Sequence, residues 1–108
     1  MALSEREYDE RALPELSRLV AALDELEDDT LEAELASDIL TLEFSDGTRY
    51  VINSHRAARQ IWMAAERSAW HFDYDDGRWV AAKTGEELWA VVEGVLARKL
   101  GHPVRLGR

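Results

Sequence analysis

Along the chain, apolar residues recur first at helical and then at strand spacing. Tyr8, Ala12, Leu16, Leu19, Leu23 and Leu26 follow one another at steps of three or four, which is one face of an amphipathic helix over roughly residues 5 to 26. Ser4 and Glu7 precede it in a capping-box arrangement. Pro14 lies inside the span. A proline in a helix interior removes one hydrogen bond and clashes with the preceding turn, at about 3 kcal/mol. The helix is therefore expected to break or bend between Glu10 and Pro14, or to begin afresh at Leu13–Pro14.

The period then drops to two. Leu31, Ala33 and Leu35 alternate with Glu32 and Glu34, and Leu40, Leu42 and Phe44 share the next apolar face. Ser45–Thr48 reads as a tight hairpin turn. Beyond it Tyr50 and Ile52 turn inward, leaving Arg49, Val51 and Asn53 outward. Ile61 and Met63 point in, with Gln60 and Trp62 out. Trp70, Phe72 and Tyr74 oppose His71 and Asp73. Asp75–Gly77 is a further turn, and "RWVAA" a short strand. Thr84 with Glu87 makes a second capping-box pattern. Leu88, Val91, Val92, Val95, Leu96 and Leu100 follow as a helix with a wide apolar face, stopped by Gly101 and Pro103.

Helix, about six closely spaced strands, helix is the resulting order. Short turns between strands imply antiparallel pairing. Two amphipathic helices cover only one face of such a sheet. The expected architecture is a two-layer α+β sandwich, with the two terminal helices on one face of the antiparallel sheet and the other face in water. A chain of 108 residues fits one domain, 1–108.

Composition narrows the function. There is no cysteine, which excludes disulfides, thiolate zinc sites and cysteine nucleophiles. No apolar run reaches the length of a transmembrane helix. The polar, acidic N-terminus lacks the basic and apolar regions of a signal peptide, so a cytoplasmic protein is expected. Charge is distributed asymmetrically: residues 1–47 hold 15 acids and 3 bases, and residues 48–108 hold 7 acids and 10 bases. An acidic pole of this kind repels nucleic acid and anionic lipid and attracts cations and basic protein surfaces.

The pole concentrates in "DELEDDTLEAEL", where Asp24, Glu25, Glu27, Asp28, Asp29, Glu32 and Glu34 crowd together without a lysine or arginine. Carboxylates at the C-terminal end of a helix oppose its dipole, at about 0.3–1 kcal/mol each. Glu32 and Glu34 lie on one face of a strand, about 7 Å apart. Such a ridge favours hard cations through oxygen ligands, bound weakly and exchanged quickly. The competing reading is a solvated acidic face that keeps the protein soluble. Trp62 is the second candidate. Strand parity places it on the uncovered sheet face beside Gln60 and near Asn53. An outward tryptophan is either an interface anchor, largely exposed in the free protein, or a ring packed under a loop or an arginine stem. His55, on a loop, His71, on an outer strand face, and His102, in the tail, share no metal-ligand spacing. No phosphate loop or catalytic triad is present, and there is no positive sign of an active site.

Several strings resemble the frataxin family, most closely its bacterial members, over about Glu7 to Leu106. "YVIN" followed by "QIWMAA" is similar to that family's asparagine and Q-[IV]-W signature; "LTLEFSDGT", "WHFDYDDGRW" and "TGEELWAVVEGVL" are similar to its second strand and hairpin, its fifth and sixth strands, and its final helix. The chain departs from the family's bacterial pattern at Pro14, Thr30 and Ser68–Ala69. The resemblance implies weakly bound ferrous or ferric iron on the ridge Asp24, Glu25, Glu27, Asp28, Asp29, Glu32 and Glu34. It implies a partner-binding patch at Asn53, Gln60 and Trp62. It further implies a monomer with no catalytic residues, acting in iron–sulfur cluster assembly by docking on the cysteine desulfurase and its scaffold. Two rivals stand beside it: a ferroxidase that oxidises iron on the ridge, and an acidic interaction module that never carries metal.

Overall fold

A computed structural model describes residues 3–107. Helix α1 spans Glu5–Asp24, strands β1 to β6 span Leu31–Ala36, Ile39–Phe44, Arg49–His55, Gln60–Ala65, Ser68–Asp75 and Arg78–Ala81, and helix α2 spans Leu88–Leu100. The strands form one antiparallel meander in sequence order. Period-two alternation gives the sheet two unlike faces. Leu40, Leu42, Ile52, Ile61, Met63 and Phe72 are buried on one face, against Tyr8, Ala12, Leu16 and Leu19 of α1 and Leu88, Val92 and Leu96 of α2. This is the expected two-layer sandwich. No helix among the described residues is long and apolar enough to cross a membrane.

Pro14 neither ends nor restarts α1, which is helical without interruption from Glu5 to Asp24. The expected break is corrected, and the reason is exposure. Glu10 and Pro14 both lie on the solvent side, so the carbonyl left without its donor faces water, which accepts the loss. The N-terminal capping box forms as expected, with Ser4 Oγ accepting from Glu7 N–H at 3.1 Å and Glu7 Oε1 accepting from Ser4 N–H at 3.1 Å.

The second capping box does not form. Thr84 Oγ1 accepts from Glu86 N–H, while Glu87 itself caps α2, its carboxylate accepting from Trp89 and Ala90 N–H. Ala81 N–H donates to Glu86 O, and Val80 bridges Glu87. After a turn over residues 82–84 the chain thus folds back onto β6, and Glu86 and Glu87 pair with it and precede the helix. Gly101 ends α2 in the left-handed region at φ 80°, the conformation a C-terminal glycine allows without a Cβ penalty.

Candidate functional site

The ridge is built where α1 stops. Asp24 is the last helical residue and Glu25 the cap, with no basic residue in the last turn to answer the helix dipole. Glu27 takes a left-handed turn at φ 49°, carrying the chain back toward β1. Asp28 ties the loop: its Oδ1 accepts from Thr30 N–H at 2.8 Å and from Thr30 Oγ1 at 2.5 Å. These bonds, the side-chain one foremost, hold its carboxyl below the usual aspartate range, assisted by His102, whose Nε2 lies 3.8 Å from Asp28 Oδ2. On β1 the residues Glu32 and Glu34 are exposed on one face, between the half-buried Leu31, Ala33 and Leu35.

A groove of about 840 Å³ brings Asp24, Glu27, Asp28, Asp29 and Glu32 together with Glu43 and with Ser45 and Gly47 of the β2–β3 turn, whereas Glu34 lines a smaller hollow with Glu32, Thr41, Glu43 and Arg49. Glu25 lines neither. Glu43 was not singled out from sequence. It lies directly across from Glu32 in the β1–β2 register, but Arg49 neutralises it at 3.1 Å. Among the described residues none of Asp24, Glu25, Glu27, Asp29, Glu32 and Glu34 has a basic side chain within ion-pair distance. Nor do three histidine, aspartate or glutamate side chains among those residues converge on one point. The donor set is thus all-carboxylate apart from His102 and is spread along an open groove. That suits a hard, partly hydrated cation held loosely.

The second part of the site lies on the outer sheet face. Ile39, Asn53, Trp62 and His71 stand side by side across β2, β3, β4 and β5. Trp62 points outward, as parity requires, but it is half-buried rather than largely exposed. The cause is two imidazoles. His55 stacks on one side of the indole with centroids 3.7 Å apart and planes at 15°, and His71 stacks at 4.2 Å and 14°. His55 is the last residue of β3, not part of a loop. Trp62 Nε1–H donates to Gln60 Oε1 at 2.7 Å, and Gln60 Nε2–H donates to Asp73 Oδ1 at 3.0 Å. Asn53 Nδ2–H donates to Ser54 O. Ile39 is exposed in the same row. The structure brings Asn53, Gln60 and Trp62 together and adds His55, His71, Asp73 and Ile39. The two-residue turn Glu66–Arg67 sets the β4–β5 register and puts His71 opposite Trp62.

Two terminal helices on one face of a six-stranded antiparallel meander, with an unneutralised acidic ridge at one end and a tryptophan-centred outer face, define the frataxin-like class of α+β sandwich. The Frataxin-like domain family matches residues 1–102, and the chain belongs to that family. It is 32% identical over 102 residues to the iron-sulfur cluster assembly protein CyaY of Vibrio cholerae, covering 94% of this chain and 97% of that protein. It is 33% identical over 104 residues to the protein of the same name from Paraburkholderia phymatum, covering 96% and 98%. Among solved structures, frataxin from Psychromonas ingrahamii shares the fold with a TM-score of 0.89 at 21% identity, over 98% of this chain and 100% of that one. Trimeric frataxin from the yeast Saccharomyces cerevisiae, in a ferrous complex, aligns with a TM-score of 0.74 at 27% identity, over 94% and 89%.

Proposed function

We propose that the protein is an iron-binding adaptor of iron–sulfur cluster assembly, cytoplasmic and monomeric, rather than an enzyme. Its ridge holds ferrous or ferric iron weakly as cargo and docks on a basic groove of the cysteine desulfurase, while the face around Asn53, Gln60 and Trp62 engages the scaffold protein. The names of its relatives support a place in that assembly. The observation that carries the reading is the set of six carboxylates, Asp24, Glu25, Glu27, Asp29, Glu32 and Glu34, left on one ridge without basic partners among the described residues. Thirteen bases are available in the chain, and Arg6, Arg18, Arg49, Arg56, Arg98 and Lys99 pair with other acids. A surface that keeps repelling charges together is complementary to a cation or a basic surface.

The test is a titration of the purified cysteine desulfurase of the same organism with the parent protein and with the Glu32→Gln/Glu34→Gln variant at several salt concentrations. The expected result is weaker docking of the variant and a shallower salt dependence. Equal affinities and equal salt slopes would remove the ridge from the interface. That no three ligands converge among the described residues favours a second reading, docking by charge alone without metal. Stringent chelation of iron in the same titration separates the two, since only the cargo reading predicts that chelation changes the binding.

A further inference from the structure

We propose that His55 and His71 are positioning residues that clamp the Trp62 indole, so that a partner meets a preformed aromatic ridge and reaches the tryptophan at its outward rim rather than by stacking on it. The inference rests on the reading of the outer sheet face as the scaffold-docking surface.

Three strands supply the clamp. His55 comes from the end of β3, Trp62 from β4 and His71 from β5, and the three rings lie nearly parallel, with neighbouring centroids 3.7 and 4.2 Å apart. Both broad faces of the indole are covered. Its N–H is committed to Gln60, which is itself held by Asp73 on β5. Rotation of the indole about its side-chain torsions therefore has to break two stacking contacts and a hydrogen bond together. Nδ1 of His55 is buried and has no hydrogen-bond partner among the described residues. No hydrogen bond at that atom holds the ring, and stacking on Trp62 is what the structure offers in its place.

Pre-ordering matters for docking because an anchor that is mobile in the free protein loses rotamer freedom on binding, and one already fixed does not. The clamp also constrains what the partner presents. An arginine or an aromatic ring has no open indole face to lie on. Aliphatic groups and hydrogen-bond acceptors fit the outward ring edges, which carry the positive end of the aromatic quadrupole. Ile39 and Asn53, in the same cross-strand row, extend that surface with an apolar and a polar contact.

The test compares Trp62→Ala, His55→Ala/His71→Ala and His55→Phe/His71→Phe with the parent. Measured for each are the melting temperature and the affinity for the purified scaffold–cysteine desulfurase pair of the same organism. For the parent and the two histidine double variants, the 19F spectrum of fluorotryptophan-labelled protein is also recorded, its Trp62 resonance assigned by loss in Trp62→Ala. The expected result is that Trp62→Ala weakens docking most. The double alanine variant should weaken it roughly three- to tenfold, with its Trp62 resonance shifted toward that of free tryptophan and its melting temperature close to the parent's. The double phenylalanine variant, which keeps flat rings on both faces, should restore affinity and resonance. If Trp62→Ala docks like the parent, the docking reading of this face falls and the clamp with it. If Trp62→Ala weakens docking while the double alanine variant docks as well as or better than the parent, the clamp alone is wrong and the partner stacks on the indole.

Discussion

The indole N–H of Trp89 on α2 donates to the Glu15 carboxylate on α1, and both residues are buried. Arg18 Nη2 binds the other oxygen of Glu15 at 2.6 Å. This is a polar link between the two helices. Removing a buried acceptor costs about 1–3 kcal/mol, more where a charged group is involved. Glu15→Ala is expected to lower stability by about 2–3 kcal/mol in a urea titration. Glu15→Gln keeps an acceptor and is expected to cost less than half as much. Equal losses in the two variants would show that packing, not the hydrogen bond, sets the energy.

The β4–β5 hairpin invites a stabilising change. Its turn residues Glu66 and Arg67 both sit in the left-handed region, at φ 54° and 64°. The corresponding β5–β6 turn uses Asp76 and Gly77. A non-glycine residue pays about 1–2 kcal/mol for that conformation. Arg67→Gly is expected to raise stability by about 0.5–1 kcal/mol, after the added chain entropy of glycine is counted, which is roughly 3–6 °C in melting temperature. Glu66→Gly is expected to gain nothing, because Glu66 holds Arg98 through two hydrogen bonds of 2.8 Å. A melting comparison of the two variants checks both statements.

Stability is expected to fall at both ends of the pH scale, for opposite reasons. Burial raises the Tyr8 phenol above its ordinary value, and burial followed by the charge of Glu66 does the same for Tyr50. A group whose pKa is raised on folding contributes stability that is complete below its unfolded pKa, near 10, and lost as pH climbs through the folded value. Tyr8→Phe should therefore cost about 1 kcal/mol at neutral pH, through lost bonds to Ser54 and the Gln60 carbonyl, and flatten the alkaline decline. On the acid side, the Lys99 ammonium and then Thr48 N–H hold Asp46 well below the usual range, and Arg98 lowers Glu66. Their contribution is present above the unfolded carboxylate values and lost as pH falls. Urea midpoints at pH 3, 7 and 10.5 for parent and Tyr8→Phe would test the signs.

What could be read in advance followed from how local each determinant is. The α1 stripe, the inward and outward parity of the first five strands, and the position of Trp62 are decided by side-chain period alone, and the structure keeps them. Glu15 shows the limit. It falls on the buried stripe between Ala12 and Leu19, as a charged residue among apolar ones, and its partner Trp89 is 74 residues away. The start of α2 was misplaced because Glu86 and Glu87 are held by β6, a pairing that propensity at Thr84 does not encode. The His55–Trp62–His71 stack needs three strands in register, so the histidines carried little information singly. The ridge was legible for the opposite reason. Apart from Asp28, its carboxylates lack basic partners among the described residues, so their clustering does not depend on distant contacts.

That lack of partners has a thermodynamic consequence. Asp24 and Glu25 oppose the α1 dipole at about 0.3–1 kcal/mol each, and Glu32 shares an exposed strand face with Glu34, neither having a basic partner among the described residues. Unpaired like charges this close repel, with little to offset the cost. A cation that binds only the folded ridge should return part of this stability, by linkage of binding to folding. Divalent or ferric ions are therefore expected to raise the melting temperature of the parent, and monovalent salt to do so more weakly through screening. Glu32→Gln/Glu34→Gln should melt higher than the parent without metal and lose most of the metal-induced rise. A melting series on both proteins, with and without metal and at matched ionic strength, reads all four quantities. Equal metal shifts in parent and variant would place the cation elsewhere. A metal-free variant less stable than the parent would mean that Glu32 and Glu34 stabilise the fold, and the repulsion argument would fail.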